Sequence, residues 1–480
     1  ELVYRGDLTA LHQFAQKLPM IRDVDDANLA LDLAIVTYFA DGTLASRRWC
    51  DRAESLLRSG VDGETTEAVQ DDLGLRIHDM RCAIALLEAD LDGAIDGIEI
   101  HRQLVSKFRS VPVLEEQFPI LASRVMLAAR RIRDADEWIG QAERLTGPDI
   151  VTRVSVPTLR AWREWMFGRL DVSTGLIDDA LAWMDDHHIG AHHLAFDTLI
   201  TGGWCRLSGG DIADAERLAR RARADADTLG CAWNHLQAGF LSARLSLVTG
   251  DPLDALLTIE DLRSRVAFEN CLSYTDRILG LEIEALAASG HGDDAVRLID
   301  DLQPGPRQRL LSARFGSGDE HEVEQLLAQR ESWPVLEWQQ AELVLAARRD
   351  RTWPSNELVA LLGSCAETGW VLPFLGMGTQ VERLLHLAPL DKLHPKLART
   401  LSFLAPSSPA SMPIAHGVRL TSRELTLLEL LPTHLSYNEI GERLYLSVNT
   451  IKTNLKNLYR KLDANTRAEA VEAARSAGLL

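Results

Sequence analysis

Cysteine pairs, lysine and long apolar runs are scarce in this 480-residue chain, and each scarcity excludes a class of protein. The six cysteines include no CxxC pair and no zinc-type spacing, so we expect buried thiols in a reducing, cytoplasmic protein. No apolar run approaches the roughly 18 residues that a membrane span requires, and no signal-peptide pattern opens the chain. A membrane is therefore not an expected partner.

Motifs for catalysis and nucleotide binding are absent as well. The chain has no nucleophile elbow, no Gly-rich phosphate loop and no paired carboxylates in a defined loop. It has seven lysines, and none of them follows a glycine, which argues against a P-loop. We therefore expect that this chain is not an enzyme and needs no cofactor.

The net charge of −19 is distributed unevenly along the chain. Residues 418–480 contain nine Lys or Arg against seven Asp or Glu, a net charge of +2, so the preceding 417 residues carry −21. A strongly acidic surface repels nucleic acid, whereas a small basic segment accepts it. Any contact with nucleic acid is therefore expected at the carboxyl end.

Most of the first 400 residues are rich in Ala, Leu, Arg and Glu, with apolar residues three and four apart, which predicts helices. A small turn with Gly and Asp recurs ahead of an amphipathic run, and three of its aspartates are 40 residues apart: Asp171, Asp211 and Asp251. Asp293 follows after 42 residues. Weaker matches occur at Gly6-Asp7, Asp41-Gly42, Ala89-Asp90-Leu91 and Arg133-Asp134.

The repeated turn has a simple physical meaning. A glycine ends one helix in a left-handed conformation, and the aspartate accepts the free N–H groups that start the next helix. Each unit is then a helix pair, such as 232–249 with 252–266, and stacked pairs bury the stripes that neither helix buries alone. The predicted fold is all-α, a superhelical stack of about 40-residue tetratricopeptide-like repeats whose period degrades past Gly316.

A Pro/Ser-rich stretch separates the repeats from the carboxyl end. Residues 404–417 contain three prolines and three serines and cannot continue a helix. We therefore expect a helical-repeat sensor or regulatory domain at 1–404, a linker at 405–417 and a small terminal module at 418–480.

The terminal module contains four short predicted helices, three of which begin with an S/T-x-x-E capping box, at Thr421, Ser436 and Thr466. The third helix, 447–462, is predicted to bury one apolar stripe: Val448, Ile451, Leu455, Leu458 and Leu462. Its opposite face has no carboxylate and consists of Asn449, Lys452, Thr453, Lys456 and Arg460. Such a face suits an anionic partner, and the short turn 445–447 ahead of it is typical of a helix-turn-helix.

Five motifs run through the module: Leu420-Thr-x-Arg423-Glu424, Leu435-Ser436-x-x-Glu439-Ile440, Ser447-x-x-Thr450-Ile451-Lys452, Lys461-Leu462 and Arg467-x-x-Ala470. Together they resemble the LuxR-type helix-turn-helix over the whole module. His434 departs from that pattern, because family members commonly have Gly in this turn. Asn454 stands where His is frequent on the recognition helix.

The resemblance implies double-stranded DNA as a partner, with Lys452, Thr453 and Lys456 as base contacts in the major groove. Lys can donate to guanine O6 and N7, and the Thr methyl can touch thymine. Six further residues are expected on the phosphates, where they position the helix without reading sequence: Asn449, Thr450, Asn454, Arg460, Lys461 and Arg467. A net charge of +2 gives one module little affinity, so we expect a homodimer on DNA.

Acidic repeats ahead of a LuxR-type module resemble the large regulators related to the maltose-regulon activator. The resemblance implies a transcription activator whose repeats bind a small-molecule or protein effector, with RNA polymerase as a further partner. It also implies an ATPase domain, which we expect either upstream of Glu1 or not at all. The alternative is a helical-repeat interaction scaffold whose terminal module docks a protein partner.

Two clusters in the repeats have competing interpretations. Five tryptophans within 72 residues predict either core packing or an aromatic pocket that stacks a sugar or planar effector: Trp162, Trp165, Trp183, Trp204 and Trp233. Four histidines are potential metal ligands: His187, His188, His192 and His193. Neighbouring histidines on one loop rarely converge on a single ion and a helix-connecting turn explains them as well, so no metal is expected.

Overall fold

The computed structural model describes residues 24–40, 43–59, 67–105, 118–145, 147, 149–266, 272–316, 318–328, 335–349, 356–375, 428, 430–432, 435–436, 455, 458–459, 462, 464 and 466–476. Within these ranges every regular element is helical and none is a strand, which confirms the all-α prediction. The chain divides into two compact units, Glu1–Thr400 and Leu401–Leu480. No helix of the described part is long and apolar enough to cross a bilayer.

Helix follows helix through the described part of the first unit. In chain order they are α1 (Ala27–Ala40), α2 (Thr43–Ser59), α3 (Glu67–Leu87), α4 (Leu91–Val105), α5 (Phe118–Ala128), α6 (Ile132–Ala142), α7 (Val156–Met166), α8 (Leu170–Asp186), α9 (His193–Ser208), α10 (Ile212–Leu229), α11 (Ala232–Val248), α12 (Pro252–Arg265), α13 (Leu272–Ala288), α14 (Gly292–Ile299), α15 (Pro306–Phe315), α16 (Glu320–Ala328), α17 (Val335–Arg349) and α18 (Asn356–Thr368). A π-helical turn, Val151–Ser155, leads into α7, and a 3₁₀ turn, Leu372–Phe374, follows α18.

One turn geometry recurs within the helix pairs. Gly210, Gly250 and Gly290 each follow a first helix with φ of 80°, 80° and 87°. At each turn two successive N–H groups donate back to carbonyls of the last helical turn, as Asp251 N does to Ser246 O at 2.8 Å. Glycine suits this position because the left-handed conformation crowds any Cβ. The predicted glycine stop signals are confirmed at Gly210 and Gly250, whereas at the third turn the left-handed residue is Gly290 and not the predicted Gly292.

Asp211 and Asp251 begin the following helices as predicted. Each carboxylate accepts a hydrogen bond from the backbone N–H three residues further on, at 3.2 Å and 3.1 Å. The predicted pair 232–249 and 252–266 is confirmed as α11 and α12, each one residue shorter at its end. Local sequence signals therefore define these helix boundaries closely.

Asp171 and Asp293 are not the capping residues that the repeat pattern predicts. They lie inside the first turns of α8 and α14, and the residues at the cap positions are Arg169 and His291. A carboxylate in the first turn still stabilises a helix, because it faces the positive end of the helix dipole. The pattern thus placed these two helix starts correctly but assigned the wrong interaction.

Two further copies of the turn have no glycine. Ala89 and Arg130 take the left-handed conformation, with φ of 61° and 59°, and their turns contain the same backbone hydrogen bonds. A side chain in this conformation costs roughly 1–2 kcal/mol. The repeat therefore extends to the pairs α3–α4 and α5–α6, where the Gly-Asp pattern is weak.

Replacing Gly250 by Ala should lower the free energy of unfolding by about 1–2 kcal/mol, because the added Cβ is held in the left-handed conformation. No other atom lies within 4 Å of that Cβ position, so the backbone alone sets the cost. Gly175→Ala is the matched control, since its Cβ position on α8 is equally open. That change should raise stability by about 0.5–1 kcal/mol. Urea denaturation measures both, and a loss in both variants would contradict this account of the turn.

Positions 40 residues apart are equivalent on the first helices of successive pairs. Trp204, Arg244 and Glu284 form one such series on α9, α11 and α13, and all three are buried. Arg244 forms an ion pair with Glu284, and the hydroxyls of Thr158 and Thr198, also 40 apart, lie 2.7 Å from each other. The first helices of neighbouring pairs therefore pack through the same face, and polar groups are bonded within it.

The region beyond the regular period packs against this face. Glu337 on α17 forms an ion pair with Arg130, which is 207 residues earlier. Val371, directly before the 3₁₀ turn, donates its N–H to Ser208 O at 2.7 Å. Segments that are far apart in sequence are thus joined over the first helices, and they close a cavity between them.

The second unit has its own hydrophobic core. Among the described residues its buried side chains are Leu428, Leu431, Leu455, Leu458, Leu462, Ala464, Ala470 and Ala474. The predicted stripe of the third helix is confirmed at Leu455, Leu458 and Leu462, whereas Val448 and Ile451 lie outside the described residues.

The last helix described is α19 (Arg467–Ser476). Thr466 Oγ1 accepts a hydrogen bond from Glu469 N–H at 3.2 Å, so the predicted cap at Thr466 is confirmed. The helices predicted to begin at Thr421 and Ser436 lie largely outside the described residues.

Candidate functional site

A cavity lies on the face of the first helices, where α17 and Trp370 close over them. It is partly open to solvent. Four tryptophans and four arginines contribute to its lining, and we call it the tryptophan–arginine cavity: Trp162, Trp165, Trp204, Trp370, Arg130, Arg244, Arg277 and Arg307. Its lining is drawn from segments between α5 and Trp370, so the complete cavity exists only in the folded unit.

Aromatic rings form a continuous wall of this cavity. The ring centre of Trp165 lies 5.8 Å from that of Trp370 and 5.5 Å from that of Trp204. Phe240 continues the series 5.5 Å from Trp204, and Tyr274 lies 6.0 Å from Phe240. Each ring is inclined to its neighbour, an arrangement that aromatic quadrupoles favour. Trp165 and Phe240 are only half-buried, so part of each ring remains available to a bound molecule.

A buried carboxylate on α17 holds two of the arginines. Glu337 forms ion pairs with Arg130 and with Arg307, the latter at 3.1 Å. Burial alone would raise the pKa of Glu337, but the attraction of these two guanidinium groups outweighs it and lowers the pKa below its ordinary value. Glu337 is therefore ionised in the folded protein and fixes α17 onto the repeats.

Glu284 on α13 plays the same part for a second pair of arginines. Its carboxylate lies 2.7 Å from Arg244 and 3.4 Å from Arg314. Burial opposes its ionisation, yet the two guanidinium groups lower the pKa of Glu284 from 4.5 to about 2. The Arg244–Glu284 pair is bidentate, with a second bond of 3.2 Å, so this arginine is held in a single orientation.

Arg277 differs from the other cavity arginines. It is buried, but it forms no ion pair within the described part of the chain. Its Nη2 donates to Ala128 O at 2.8 Å, and its guanidinium lies 4.4 Å from the ring centre of Tyr274. Burial, together with the nearby charge of Arg130, lowers the pKa of Arg277 to about 10, which still leaves it cationic at neutral pH.

Three polar atoms of the lining are buried without a hydrogen-bond partner: Gln237 Nε2, Trp370 Nε1 and Glu337 Oε2. The other end of the Gln237 amide is engaged, because Tyr274 donates its hydroxyl hydrogen to Gln237 Oε1 at 2.8 Å. Buried polar atoms are nearly always bonded, and a bound molecule or ordered water can supply the missing partners. The cavity thus has the chemistry of a binding site.

The structure brings three of the five predicted effector residues together: Trp162, Trp165 and Trp204 line the cavity. Trp233 is not a lining residue; it is completely buried, with its ring 5.5 Å from that of Tyr274. Trp183 is also not part of the lining, and its ring stacks on His187 at 4.0 Å. For the last two tryptophans the packing interpretation describes what the structure contains.

The arginines of the cavity and Trp370 were not among the predicted site residues. The sequence does contain a signal for two of them, because Arg244 and Arg277 interrupt otherwise apolar helix faces, and Arg277 follows Gln237 by one 40-residue period. Trp370 has no such signal. It lies outside the regular repeats, and only the folded chain places it beside Trp165.

Three of the four histidines around the connection from α8 to α9 have separate roles. His187 stacks on a tryptophan ring, and His192 Nδ1 accepts a hydrogen bond from Leu194 N–H at 3.0 Å, capping α9. His193 is buried 5.6 Å from the ring of Tyr38, and burial lowers the pKa of His193 to about 3, so it is neutral. In the described ranges no group of three or more His, Cys, Asp or Glu side chains could hold a metal ion.

Eight of the nine predicted DNA contacts lie outside the described residues: Asn449, Thr450, Lys452, Thr453, Asn454, Lys456, Arg460 and Lys461. The ninth, Arg467, is described and is partly buried. Its guanidinium donates to three backbone carbonyls, Leu431 O at 2.9 Å, Leu435 O at 2.7 Å and Leu430 O at 3.4 Å. Arg467 thus holds the start of α19 against an earlier part of the unit, a contact that the sequence pattern did not predict.

Comparison with known proteins identifies the family of this carboxyl-terminal segment. Residues 418–474 match the luxR family of bacterial regulatory proteins. This segment is a luxR-family helix-turn-helix domain. Proteins of this family are bacterial transcription regulators. The long helical region ahead of the domain is consistent with the architecture of the large regulators related to the maltose-regulon activator.

Individual relatives match a small part of this chain. The transcriptional regulatory protein LiaR of Bacillus subtilis (strain 168) is 38% identical over 80 residues, which are 16% of this chain and 36% of LiaR. The CsgBAC operon transcriptional regulatory protein of Escherichia coli (strain K12) is 44% identical over 55 residues, 12% of this chain and 26% of that protein. The chain therefore spans between about a quarter and little more than a third of the length of the relatives that it matches.

Proposed function

We propose that this protein is a sequence-specific, DNA-binding transcription regulator, and an activator, whose helical repeats bind a controlling effector. The match of residues 418–474 to the luxR family carries the proposal. The tryptophan–arginine cavity supports the second part, since aromatic and charged groups converge there with unsatisfied polar atoms. The functional parts are the sensor at 1–404, the linker at 405–417 and the DNA-binding domain at 418–480.

In this proposal the recognition helix reads bases through Lys452, Thr453 and Lys456. The residues on the phosphates are Asn449, Thr450, Asn454, Arg460, Lys461 and, beyond its bonds within the unit, Arg467. The weak positive charge of the domain favours two copies on one operator, so the protein acts as a homodimer there, with RNA polymerase as its partner in activation.

Lys452→Ala should weaken binding to the preferred duplex by about 1–3 kcal/mol and relax the base preference at one position, because a base-edge contact is lost. Lys461→Ala should weaken binding to all sequences about equally and make the dependence of the dissociation constant on salt less steep by roughly one counterion. Gel retardation of the full-length chain over a series of salt concentrations, with single-base operator variants, measures both effects.

Arg220→Ala is the control for the loss of one positive charge, because Arg220 is an exposed residue of the repeat unit. This variant should bind every duplex as tightly as the wild type. If Lys452→Ala does the same, the base-contact assignment is wrong. If the wild type retards no duplex in a sequence-dependent way, the interaction scaffold becomes the better interpretation.

The position of the cavity suggests how an effector could control the repeats. Arg130 and Glu337, which are 207 residues apart, both line it and are ion-paired to each other. A molecule bound there would contact both the early helix pairs and α17, so it would favour one packing of these segments over another. The effector thereby changes the state of the region that continues into the linker, and that state sets the affinity for DNA.

A further inference from the structure

We infer that the tryptophan–arginine cavity binds a flat organic anion, that is, a planar ring system carrying a carboxylate or phosphate group. This inference rests on the proposed function, because it names the chemical class of the effector. Three observations support it independently: an excess of buried positive charge, an excess of unpaired hydrogen-bond donors, and a wall of aromatic rings.

Positive charge exceeds negative charge around the cavity. Four arginines line it, and a fifth, Arg314, shares the carboxylate of Glu284. Among the described residues the carboxylates of Glu284 and Glu337 pair with three of the four lining arginines, and the fourth, Arg277, pairs with none. Four positive charges therefore face two negative charges. Buried charge without a counter-ion is unfavourable, so a bound anion would stabilise this group of side chains.

The unpaired groups favour the same ligand. Arg277 makes no ion pair in the described part of the chain, and its planar guanidinium matches a carboxylate or phosphate with two parallel hydrogen bonds. Trp370 Nε1 and Gln237 Nε2 are two further donors without an acceptor. Among the buried side-chain atoms of the lining, one acceptor lacks a partner, Glu337 Oε2. A ligand rich in acceptors satisfies this arrangement.

The aromatic wall accounts for the planar part of the ligand. Trp162, Trp165 and Phe240 are half-buried lining residues, so their rings offer surface to a flat molecule. Tryptophan faces also bind neutral sugars, but an uncharged sugar would leave the buried Arg277 without a counter-ion. The combination of rings and arginines therefore selects an anion with a ring system over a sugar.

Isothermal titration of the full-length protein with charge-matched pairs of ligands tests the inference. The pairs are adenosine 5′-monophosphate with adenosine, and indole-3-acetate with indole-3-acetamide; ribose 5-phosphate and acetate are the anions without an aromatic ring. In at least one pair the anion should bind about tenfold or more tightly than its neutral partner, because charge-assisted hydrogen bonds are stronger than neutral ones. The anions without rings should bind more weakly than those with rings.

Arg277→Gln should reduce the affinity for the anions about tenfold or more and leave the neutral partners unchanged. Arg277→Lys keeps the charge but loses the planar two-point contact, so its affinity should be intermediate. Arg263→Gln is the control, since Arg263 forms a partly exposed ion pair with Glu282 and is not a lining residue. This variant should bind the charged and neutral ligands with the same affinities as the wild type.

Equal binding of charged and neutral partners would overturn the inference, and so would binding of the ring-free anions as tightly as the others. Absence of binding by all four ring compounds at millimolar concentration would overturn it as well. If Arg277→Gln does not fold, the wild-type comparison still decides. Gel retardation on the same preparation reports on DNA binding separately, so a failure there counts against the proposed function and not against the ligand class.

Discussion

Replacing Glu284 by Gln is expected to lower the free energy of unfolding of the first unit, here called the repeat unit, by about 3–5 kcal/mol. The side chain is buried between Arg244 and Arg314, at 2.7 Å and 3.4 Å. Removing its charge takes a counter-charge away from two buried guanidinium groups, and the loss of a buried counter-charge costs far more than the loss of a surface contact. Chemical denaturation followed by circular dichroism measures the change.

Glu282→Gln is the matched control on the same helix, two residues away. Glu282 pairs with Arg263, whose side chain is 46% exposed. Water can therefore solvate the guanidinium of Arg263 once the carboxylate is removed. The expected loss is therefore at most about 1 kcal/mol. Equal losses for Glu282→Gln and Glu284→Gln would mean that the buried arginines do not depend on Glu284.

The pH dependence of stability provides a second measure of the same carboxylate. Burial opposes ionisation, but the two arginines lower the pKa of Glu284 to about 2, against an ordinary value of 4.5. A depressed folded-state pKa stabilises the protein above the unfolded-state value, and this contribution is lost as the pH falls from about 4.5 towards 2. Between these limits the wild type should lose more stability than Glu284→Gln does. Parallel curves for the two proteins would contradict this assignment.

Leu458→Ala is expected to destabilise the second unit by about 2–5 kcal/mol, which is a large part of the stability of so small a domain. Leu458 is completely buried in the core that also contains Leu455 and Leu462. Truncation leaves a cavity among these side chains, and the helix that carries the proposed base contacts loses its support. DNA retardation should therefore be abolished or strongly reduced, whereas thermal unfolding of the repeat unit should be unchanged, because each unit has its own core.

Glu472→Ala in α19 is the control for this experiment, since Glu472 is an exposed residue of the same unit. It should alter stability by less than about 0.5 kcal/mol and leave DNA retardation intact. If Leu458→Ala retains full DNA binding, the luxR-family domain does not depend on this core in the way that its packing indicates.

Short-range signals in the sequence predicted the architecture well. The turn glycines Gly210 and Gly250, the capping aspartates Asp211 and Asp251 and the apolar spacing of α11 and α12 all reflect contacts within a few residues. Such contacts are set by the backbone geometry of a helix and its ends, so their residue pattern can be recognised without the fold. The capping threonine Thr466 followed the same rule.

Turns that have the same backbone geometry but no glycine were harder to predict. Ala89 and Arg130 occupy the left-handed position that glycine holds elsewhere, at φ of 61° and 59°. Packing of the neighbouring helices outweighs the local cost at these turns, so a search for glycine passes over them. Arg467 was similarly assigned to phosphate from its motif, while its bonds to Leu431 O and Leu435 O depend on how the second unit packs.

Residue spacing therefore predicted an all-helical repeat chain, and resemblance to family motifs predicted the helix-turn-helix at its end. Both were possible because helices, caps and recognition motifs are local. The cavity was decided by packing at long range. Arg130 is ion-paired to Glu337, which is 207 residues away in sequence. The ring of Trp370 packs against that of Trp165, although Trp370 lies outside the regular repeats. No periodicity encodes such contacts, since they exist only once the helix pairs have stacked and α17 has closed over them. The positive charge of the cavity was decided by the tertiary structure for that reason, since only folding brings its arginines together.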